Sequence, residues 1–241
     1  MDNQQYFLSI DNGTQSVRAM IFDGQGQLIA KSKIDIEPYF SDQPGWAEQH
    51  ADYFWDALCK ACQALWPLLP IPKESIAAVS VTTQRATAIA MGADNQPLRP
   101  AISWLDQRQV ETKPALGALE SALFTLVGAK PLADLMHKQA EANWIAQNEP
   151  NIWDKVHKFV LLSGYHNYKL TGEYKDAIAS TVGFLPFDYK TQQWADKRDW
   201  KWRAMPITQE MLPEVLPAGA ELGRITLQAA TETGIPNGLP L

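Results

Sequence analysis

The sequence lacks a long apolar segment and any cluster of basic residues. Its 241 residues carry a net charge of −6, with 21 Lys and Arg against 27 Asp and Glu. Because a nucleic-acid surface needs a basic patch, nucleic acid is not an expected partner. No apolar run approaches the ~20 residues that cross a bilayer, and Met1–Tyr6 do not form a signal-peptide pattern. We therefore expect a cytoplasmic protein with no membrane partner.

Cysteine is also scarce. The only two cysteines, Cys59 and Cys62, form a Cys-x-x-Cys pair, which can indicate a redox centre or half of a zinc site. The four histidines show no metal-binding spacing, and there is no second cysteine pair. Apolar residues around the pair recur at helical spacing: Phe54, Leu58, Ala61, Cys62 and Leu65. This pattern predicts that the pair packs in the core.

The hydrophobic pattern of the first third predicts an α/β fold. Short β runs at 6–10, 17–23 and 27–36 predict an antiparallel three-strand meander. An amphipathic helix from Asp52 to about Trp66 follows, and the continuous apolar run Ile76–Thr82 is typical of a buried strand. A strand, a helix and a buried strand in this order predict a crossover unit and a mixed sheet flanked by helices.

The rest of the chain predicts more helix than strand. Strand-and-turn structure is expected over Thr87–Met91 and Ala101–Trp104, and residues 107–170 are mainly helical in pattern. Within that stretch a strand at His157–Leu162 leads to a short helix over 163–170 that ends at Gly172. Further helices are expected only around 208–212 and 225–233, and a strand begins at Leu239–Leu241.

The turn between the first two strands allows two interpretations. Asn12-Gly13 is typical of a type I′ hairpin turn, because both residues tolerate positive φ. The longer string Asp11-x-Gly13-Thr14-x-Ser16-x-Arg18 instead contains the residue types of a phosphate-binding site. Backbone N–H groups can approach a phosphate at Gly13, the hydroxyls of Thr14 and Ser16 can donate to it, and Asp11 can hold hydrated Mg²⁺. On the phosphate hypothesis Arg18 neutralises the charge of the phosphate, whereas on the hairpin hypothesis it faces solvent.

A second set of polar side chains is suited to a polyol. Such a ligand needs several hydrogen-bonding groups and an aromatic wall, which Gln84, Arg85, Trp104 and Asp106 together supply. Arg85 follows a buried strand, at the edge where α/β sheets open a crevice. Core packing is the alternative for Trp104.

The chain resembles the FGGY family of carbohydrate kinases, which includes glycerol, xylulose, ribulose and gluconate kinases. The resemblance is collinear over almost the whole chain, and its strength lies in the order and spacing of the motifs. The segments that carry it are Asp11-Asn12-Gly13-Thr14-Gln15-Ser16-Val17-Arg18, Pro44-Gly45-Trp46-Ala47-Glu48-Gln49, Thr82-Thr83-Gln84-Arg85, Ala101-Ile102-Ser103-Trp104-Leu105-Asp106-Gln107-Arg108, Tyr168-Lys169-Leu170-Thr171-Gly172 and Ala179-Ser180-Thr181.

This resemblance implies an actin-like, ribonuclease-H-like fold and ATP-dependent phosphorylation of a sugar or polyol. Residues 1–241 are similar to the N-terminal, substrate-binding domain only, without the C-terminal nucleotide-binding domain. By resemblance, Asp11 acts through Mg²⁺ together with Arg18, and Gly13, Thr14, Gln15 and Ser16 meet the ATP phosphates. The general-base Asp of the family is expected beyond residue 241, so the isolated fragment is expected to be inactive. A homodimer is left open.

Departures from the family pattern bear on the substrate. Glycerol kinases carry a Glu after the Arg of the third motif, where this chain has Ala86, so glycerol is disfavoured. Xylulokinases usually carry Met-His in place of Gln84-Arg85, so xylulose is also not favoured. Trp104–Arg108 is broadly like the pentulose and gluconate kinases. A pentulose or a sugar acid is therefore expected. A chaperone-type ATPase domain and a catalytically silent sugar-binding module are the alternatives, and Pro44–Glu48 and Trp104–Arg108 argue against the chaperone.

Overall fold

A computed structural model describes residues 5–111, 117–126, 128, 130–182 and 184–241. The strands are β1 (Tyr6–Asn12), β2 (Ser16–Asp23), β3 (Leu28–Asp35), β4 (Glu48–Gln49), β5 (Ile76–Thr83), β6 (Ala88–Met91), β7 (Ala101–Ile102), β8 (Lys158–Leu161), β9 (Lys175–Ala177), β10 (Phe187–Asp188), β11 (Gln193–Trp194) and β12 (Glu214–Leu216). The α-helices are α1 (Ala51–Leu65), α2 (Ala118–Leu126), α3 (Lys130–Gln139), α4 (Glu141–Asn148), α5 (Pro150–Trp153), α6 (Leu162–Thr171), α7 (Lys201–Ala204) and α8 (Leu227–Thr233). Single 3₁₀ turns lie at Trp66–Leu68, Lys73–Ser75, Ile178–Ser180 and Gln209–Met211.

The first sheet has the strand order β3-β2-β1-β5. The β1–β2 and β2–β3 pairs are antiparallel, whereas β1 and β5 run parallel. Helix α1 makes the crossover between them and packs against β2 and β3. Alternation along β1 buries Leu8, Ile10 and Asn12 and leaves Asp11 partly exposed on the other face. The predicted meander, crossover and mixed sheet are thereby confirmed.

Helix α1 buries the predicted apolar stripe against this sheet. Cys59 and Cys62 are free, buried thiols, and Cys62 is fully enclosed. Burial raises the pKa of the Cys59 thiol to about 12, so it stays protonated at neutral pH. The prediction of core packing for the pair is confirmed. Within the described ranges, no group of three or more His, Cys, Asp or Glu side chains could hold a metal ion.

The second sheet, β4-β7-β6-β8, joins two apolar clusters. Successive residues of β6 point to opposite sides. Ile89 and Met91 pack into the core that α1 shares with the first sheet, whereas Ala88 and Ala90 pack into a second cluster containing Phe159. The two apolar clusters and the second sheet therefore form one continuous framework. This framework holds the carboxyl ends of β1 and β5 and the turn after β7.

The later elements agree with the sequence in part. Helix α6 ends where predicted, with Gly172 in the left-handed conformation at φ 77°. The helix expected around 208–212 is only the single 3₁₀ turn Gln209–Met211. The strand expected over Ala101–Trp104 stops at Ile102. Near the last residue, the Val79 N–H donates to the Pro240 carbonyl at 2.9 Å, so this segment lies along β5. No helix in the described ranges is long and apolar enough to cross a membrane.

Candidate active site

The centre of the site is an ion pair at the end of β1. Strand register places Asp11 opposite Arg18 of β2 and opposite Thr82 of β5. Asp11 Oδ2 accepts from Arg18 Nη1 at 2.8 Å, and Oδ1 accepts from the Thr82 hydroxyl at 3.3 Å. The Asp11 and Arg18 side chains are 31% and 41% exposed. Arg18 thus faces the same open side of the sheet as Asp11, where a ligand can reach both.

The turn after β1 is not a type I′ turn. Neither Asn12 nor Gly13 has a positive φ, and the Gly13 N–H donates to the Ser16 carbonyl at 3.0 Å. Thr14 and Gln15 therefore make the reversal. The type I′ interpretation is wrong because Asn12 stays in the strand, where its side chain is fully buried. The hairpin itself is present, since β1 and β2 pair directly.

The phosphate-type residues of this turn differ in exposure. Gly13 and Thr14 are partly exposed and Gln15 is exposed, whereas Ser16 is buried. The Thr14 hydroxyl accepts from Trp104 Nε1 at 3.2 Å. Trp104 lies two residues beyond β7 and is half exposed, so core packing is wrong for this side chain. This contact brings the predicted phosphate turn and the predicted sugar segment together.

Residues 84–87 follow β5 at the same edge of the sheet. The Gln84 N–H donates to the Asn12 carbonyl at 2.8 Å, and the two polar atoms of its side chain are buried without a hydrogen-bond partner in the described part of the chain. Arg85 is exposed. Ala86 has φ 55°, a conformation that a residue with a Cβ rarely adopts and that is enriched at functional sites.

Thr87 completes this segment and was not predicted from sequence. Its side chain is fully buried, and its hydroxyl has no partner among the described residues. A buried hydroxyl normally pairs, so Thr87 and Gln84 together supply unsatisfied donors and acceptors beside the open edge. No sequence signal marked Thr87, because its burial depends on β6 packing into the second sheet.

Asp106 lies in a closed ion network. Oδ1 accepts from the Arg108 backbone N–H and Nε, both at 2.8 Å, while Oδ2 accepts from the Ala47 N–H and Arg108 Nη2, both at 2.7 Å. Arg108 Nη1 also lies 2.7 Å from Glu48 Oε1. Both side chains of the Asp106–Arg108 pair are 3% exposed. Direct contact of Asp106 with a substrate stays a prediction.

The same network contains charged side chains that no sequence motif connects. Arg99 pairs with Glu48 and with Glu149 Oε2, the latter at 2.7 Å. The Arg108 guanidinium also lies 4.1 Å and 4.5 Å from the ring centroids of Trp46 and Trp144. The Glu48 and Trp46 of the second motif and the Arg108 of the fourth are thus joined in one buried structure.

Glu141 adds a carboxyl beside this network. Burial, with the nearby negative charge of Asp106 in the same direction, raises its pKa to about 7. The side chain lines a small cavity of about 80 Å³ together with Ala86, Phe159, Leu161 and Val182. Sequence reasoning missed Glu141, because an acidic residue at the first position of a helix is common on any protein surface.

The exposed turn fits a hydrated magnesium ion. Mg²⁺ is usually bound through one or two carboxylates, substrate phosphates and several waters. Asp11 offers one partly exposed carboxylate, with the hydroxyl of Thr82 beside it. This donor set is suited to an ion that arrives with a nucleotide.

Comparison with known sequences identifies related proteins over nearly the whole chain. The sequence model of the FGGY family of carbohydrate kinases, N-terminal domain, matches residues 6–241. An uncharacterized sugar kinase of Escherichia coli, YgcE, is 28% identical over 239 residues, which are 99% of this chain and 41% of that protein. The chain therefore spans less than half of this relative.

Two solved structures share the fold. A gluconate kinase from Lactobacillus acidophilus superposes with a TM-score of 0.77 at 19% identity, covering 98% of this chain and 47% of that one. The glycerol kinase of Plasmodium falciparum, solved with ADP, gives 0.73 at 21% identity, with 98% and 48% covered. The predicted actin-like fold is confirmed.

Proposed function

Because this chain belongs to the FGGY family of carbohydrate kinases, we propose that the full-length protein transfers a phosphoryl group from ATP to a hydroxyl of a sugar or polyol. The observation that carries the proposal is the contact between Trp104 and Thr14. It joins a turn suited to phosphate with a segment suited to a sugar, so that a donor phosphate and an acceptor hydroxyl would meet there.

The phosphate side of the proposal rests on charge and position. Phosphoryl transfer needs the phosphate oxygens to be held still and their charge to be neutralised. Arg18 supplies a cation, and Gly13, Thr14, Gln15 and Ser16 supply backbone and hydroxyl groups around the turn. Asp11 would hold Mg²⁺, which neutralises phosphate charge when bound. Arg18 also holds the Asp11 carboxylate, and it is free to exchange that partner for a phosphate oxygen because the pair is partly exposed.

The sugar side rests on the residues after β5 and β7. Trp104 offers an exposed aromatic face for the C–H groups of a sugar, and Arg85 offers a guanidinium that pairs with no other described residue for its hydroxyls or carboxylate. Gln84 brings amide groups that have no partner in the described residues. Asp106 would contribute through its turn, since its N–H donates to the Ser103 carbonyl at 3.0 Å and so helps to shape the segment that carries Trp104.

We place the substrate among pentuloses or sugar acids rather than with glycerol. The Ala86 side chain has no acceptor oxygens for the hydroxyls of a small polyol, and it lines a small cavity together with Phe159. Arg85 is suited to a sugar carboxylate by its fork of donors. We assign the general base to none of residues 1–241, so these residues alone are expected to turn over no substrate. A cytoplasmic location and a homodimer stay predictions.

The test is ADP release by the full-length protein with Mg-ATP and a panel of pentuloses, hexonates and glycerol. We expect release that depends on one pentulose or hexonate and is weak with glycerol. Glycerol as the best substrate would contradict the role given to Ala86. Binding of a sugar without any ADP release would favour a silent sugar-binding module.

A further inference from the structure

A buried histidine lies directly beneath the phosphate turn. His166 of α6 is fully buried, with its ring 6.2 Å from that of Trp55 and 5.9 Å from that of Tyr165, centroid to centroid. Its Nε2 lies 2.9 Å from Oδ1 of Asn12. Neither residue has a part in the chemistry proposed above.

Hydrogen-bond donors and acceptors fix the state of this pair. Asn12 Nδ2 donates to the Gly13 carbonyl at 3.1 Å, so Oδ1 faces the histidine as an acceptor. His166 must then donate from Nε2, so a neutral His166 ring is the Nε2–H tautomer. Its Nδ1 has no partner in the described chain. Burial, assisted by the positive charge of Lys169, lowers the pKa of His166 to about 3, which agrees with a neutral ring.

Asn12 connects this histidine with both halves of the site. Its amide touches the Gly13 peptide, and its own carbonyl accepts from Gln84 at the end of β5. Asn12 is also the residue between Asp11 and the turn. A rotation of its amide would therefore release the Gly13 carbonyl at the base of the reversal.

We propose that His166 is a positioning residue that, through Asn12, fixes the conformation of the Gly13–Ser16 turn and thereby the affinity for the nucleotide phosphates. The role in nucleotide affinity rests on the proposed function. The role in fixing the turn does not. A leucine would fill the same space but would leave the buried Asn12 oxygen without a donor, which favours other orientations of the amide.

The experiment compares His166→Leu with His166→Gln in the full-length protein. Glutamine can donate to Asn12 Oδ1 and serves as the conservative variant. Tyr165→Phe is the matched control, since it removes a partly buried side-chain hydrogen bond, 2.6 Å long, from the adjacent residue to Asp52 rather than to the turn. We expect His166→Leu to raise the KM for Mg-ATP about tenfold, as one hydrogen bond of about 1.4 kcal/mol implies. The KM for sugar should change less, and His166→Gln should restore most of the loss.

Two further measurements do not depend on activity. Amide hydrogen exchange of residues 13–16 should become faster in His166→Leu and stay unchanged in Tyr165→Phe. Nitrogen NMR of the unmodified protein should show the neutral Nε2–H tautomer at pH 7. Unchanged exchange in His166→Leu, or the Nδ1–H tautomer, would overturn the inference even if a variant folds poorly. Faster exchange with an unchanged KM for Mg-ATP would uphold the control of the turn by His166 and would contradict the proposed phosphate role of the turn.

Discussion

Two Asp–Arg pairs in this molecule have nearly the same N···O distance and opposite surroundings. Asp11 and Arg18 are joined at 2.8 Å across two strands, and their side chains are 31% and 41% exposed. Asp106 and Arg108 are joined at 2.7 Å within one segment, and each is 3% exposed. The first pair lies at an open sheet edge, whereas the second lies between two tryptophan rings and Glu48.

This difference separates a pair that can exchange partners from one that cannot. Water screens the charges of an exposed pair, so breaking it costs little and a phosphate or metal ion can replace either partner. A buried pair is different, because removing one partner leaves the other charge without water or a counter-charge. The two pairs therefore have different roles. The Asp11–Arg18 pair is available to ligands, whereas the Asp106–Arg108 pair stabilises the segment that carries Trp104.

The largest effect is expected from Arg108→Met. This change leaves Asp106 and Glu48 buried without their shared cation, which should lower the free energy of unfolding by about 3–5 kcal/mol. Urea denaturation of the full-length protein measures it. A loss under about 1 kcal/mol would mean that the network is solvated and that the comparison of the two pairs fails.

Glu141→Gln should give a smaller effect that depends on pH. Its folded pKa of about 7 lies above the ordinary value of 4.5, so the folded state favours the protonated carboxyl. The cost of ionising it in the fold appears as the pH rises above about 4.5 and is complete above 7. At about 1.4 kcal/mol per pKa unit, the variant should be more stable than the parent by up to about 3 kcal/mol at pH 8.

The control for this titration is the comparison of the parent with Glu141→Gln at low pH. At pH 4.5 or below, Glu141 is protonated in the folded state, so the two unfolding free energies should nearly converge. Denaturation curves at pH 4.5, 6 and 8 test the trend. An equal difference at all three values would show that the carboxyl is not titrating as its burial implies.

Arg85→Ala should weaken sugar binding without unfolding the protein. One charge-assisted hydrogen bond in a partly buried pocket contributes about 1.5–3 kcal/mol. Calorimetric titration of the full-length protein with its best sugar measures the change. Arg224→Ala is the matched control, because that arginine is exposed and pairs with Glu221 away from the site. Equal losses in both variants would remove Arg85 from the site.

The smallest effect on stability is expected from Arg18→Met, the counterpart of Arg108→Met. Exposed pairs contribute about 0–1 kcal/mol, so the unfolding free energy should hardly change. Turnover with Mg-ATP should nevertheless fall, since a cation at the phosphates is lost. A stability loss comparable with that of Arg108→Met would erase the distinction between the pairs.

The sequence predicted best where structure follows from local pattern. The meander, α1 and the buried β5 were recognisable because strand alternation and helical spacing are properties of neighbouring residues. The Asp11–Arg18 turn was found for the same reason, although its backbone type was not. Asn12 suited a type I′ turn by preference, but its contact with His166, over 150 residues away, keeps it in the strand.

The features that the sequence did not show depend on contacts made in the folded chain. The Ala47 N–H and the Arg108 side chain donate to the oxygens of Asp106, whose direct contact with a substrate stays a prediction. Thr87, Glu141 and His166 showed no signal, because their unusual surroundings exist only after the second sheet and α6 have packed. An isolated motif gives residue types, whereas exposure decides which of them remain available to a ligand.

The measurement that tests the account most directly is sugar-dependent ADP release by Asp11→Asn in the full-length protein. The change keeps the shape of the side chain and removes the charge, so unfolding and sugar affinity should stay close to those of the parent. Turnover should fall by roughly 10²–10³-fold, because an electrostatic contribution felt mainly in the transition state is lost. An equal loss in sugar affinity and turnover, or a large loss of stability, would mean that Asp11 shapes the fold and that the open pair has no part in phosphoryl transfer.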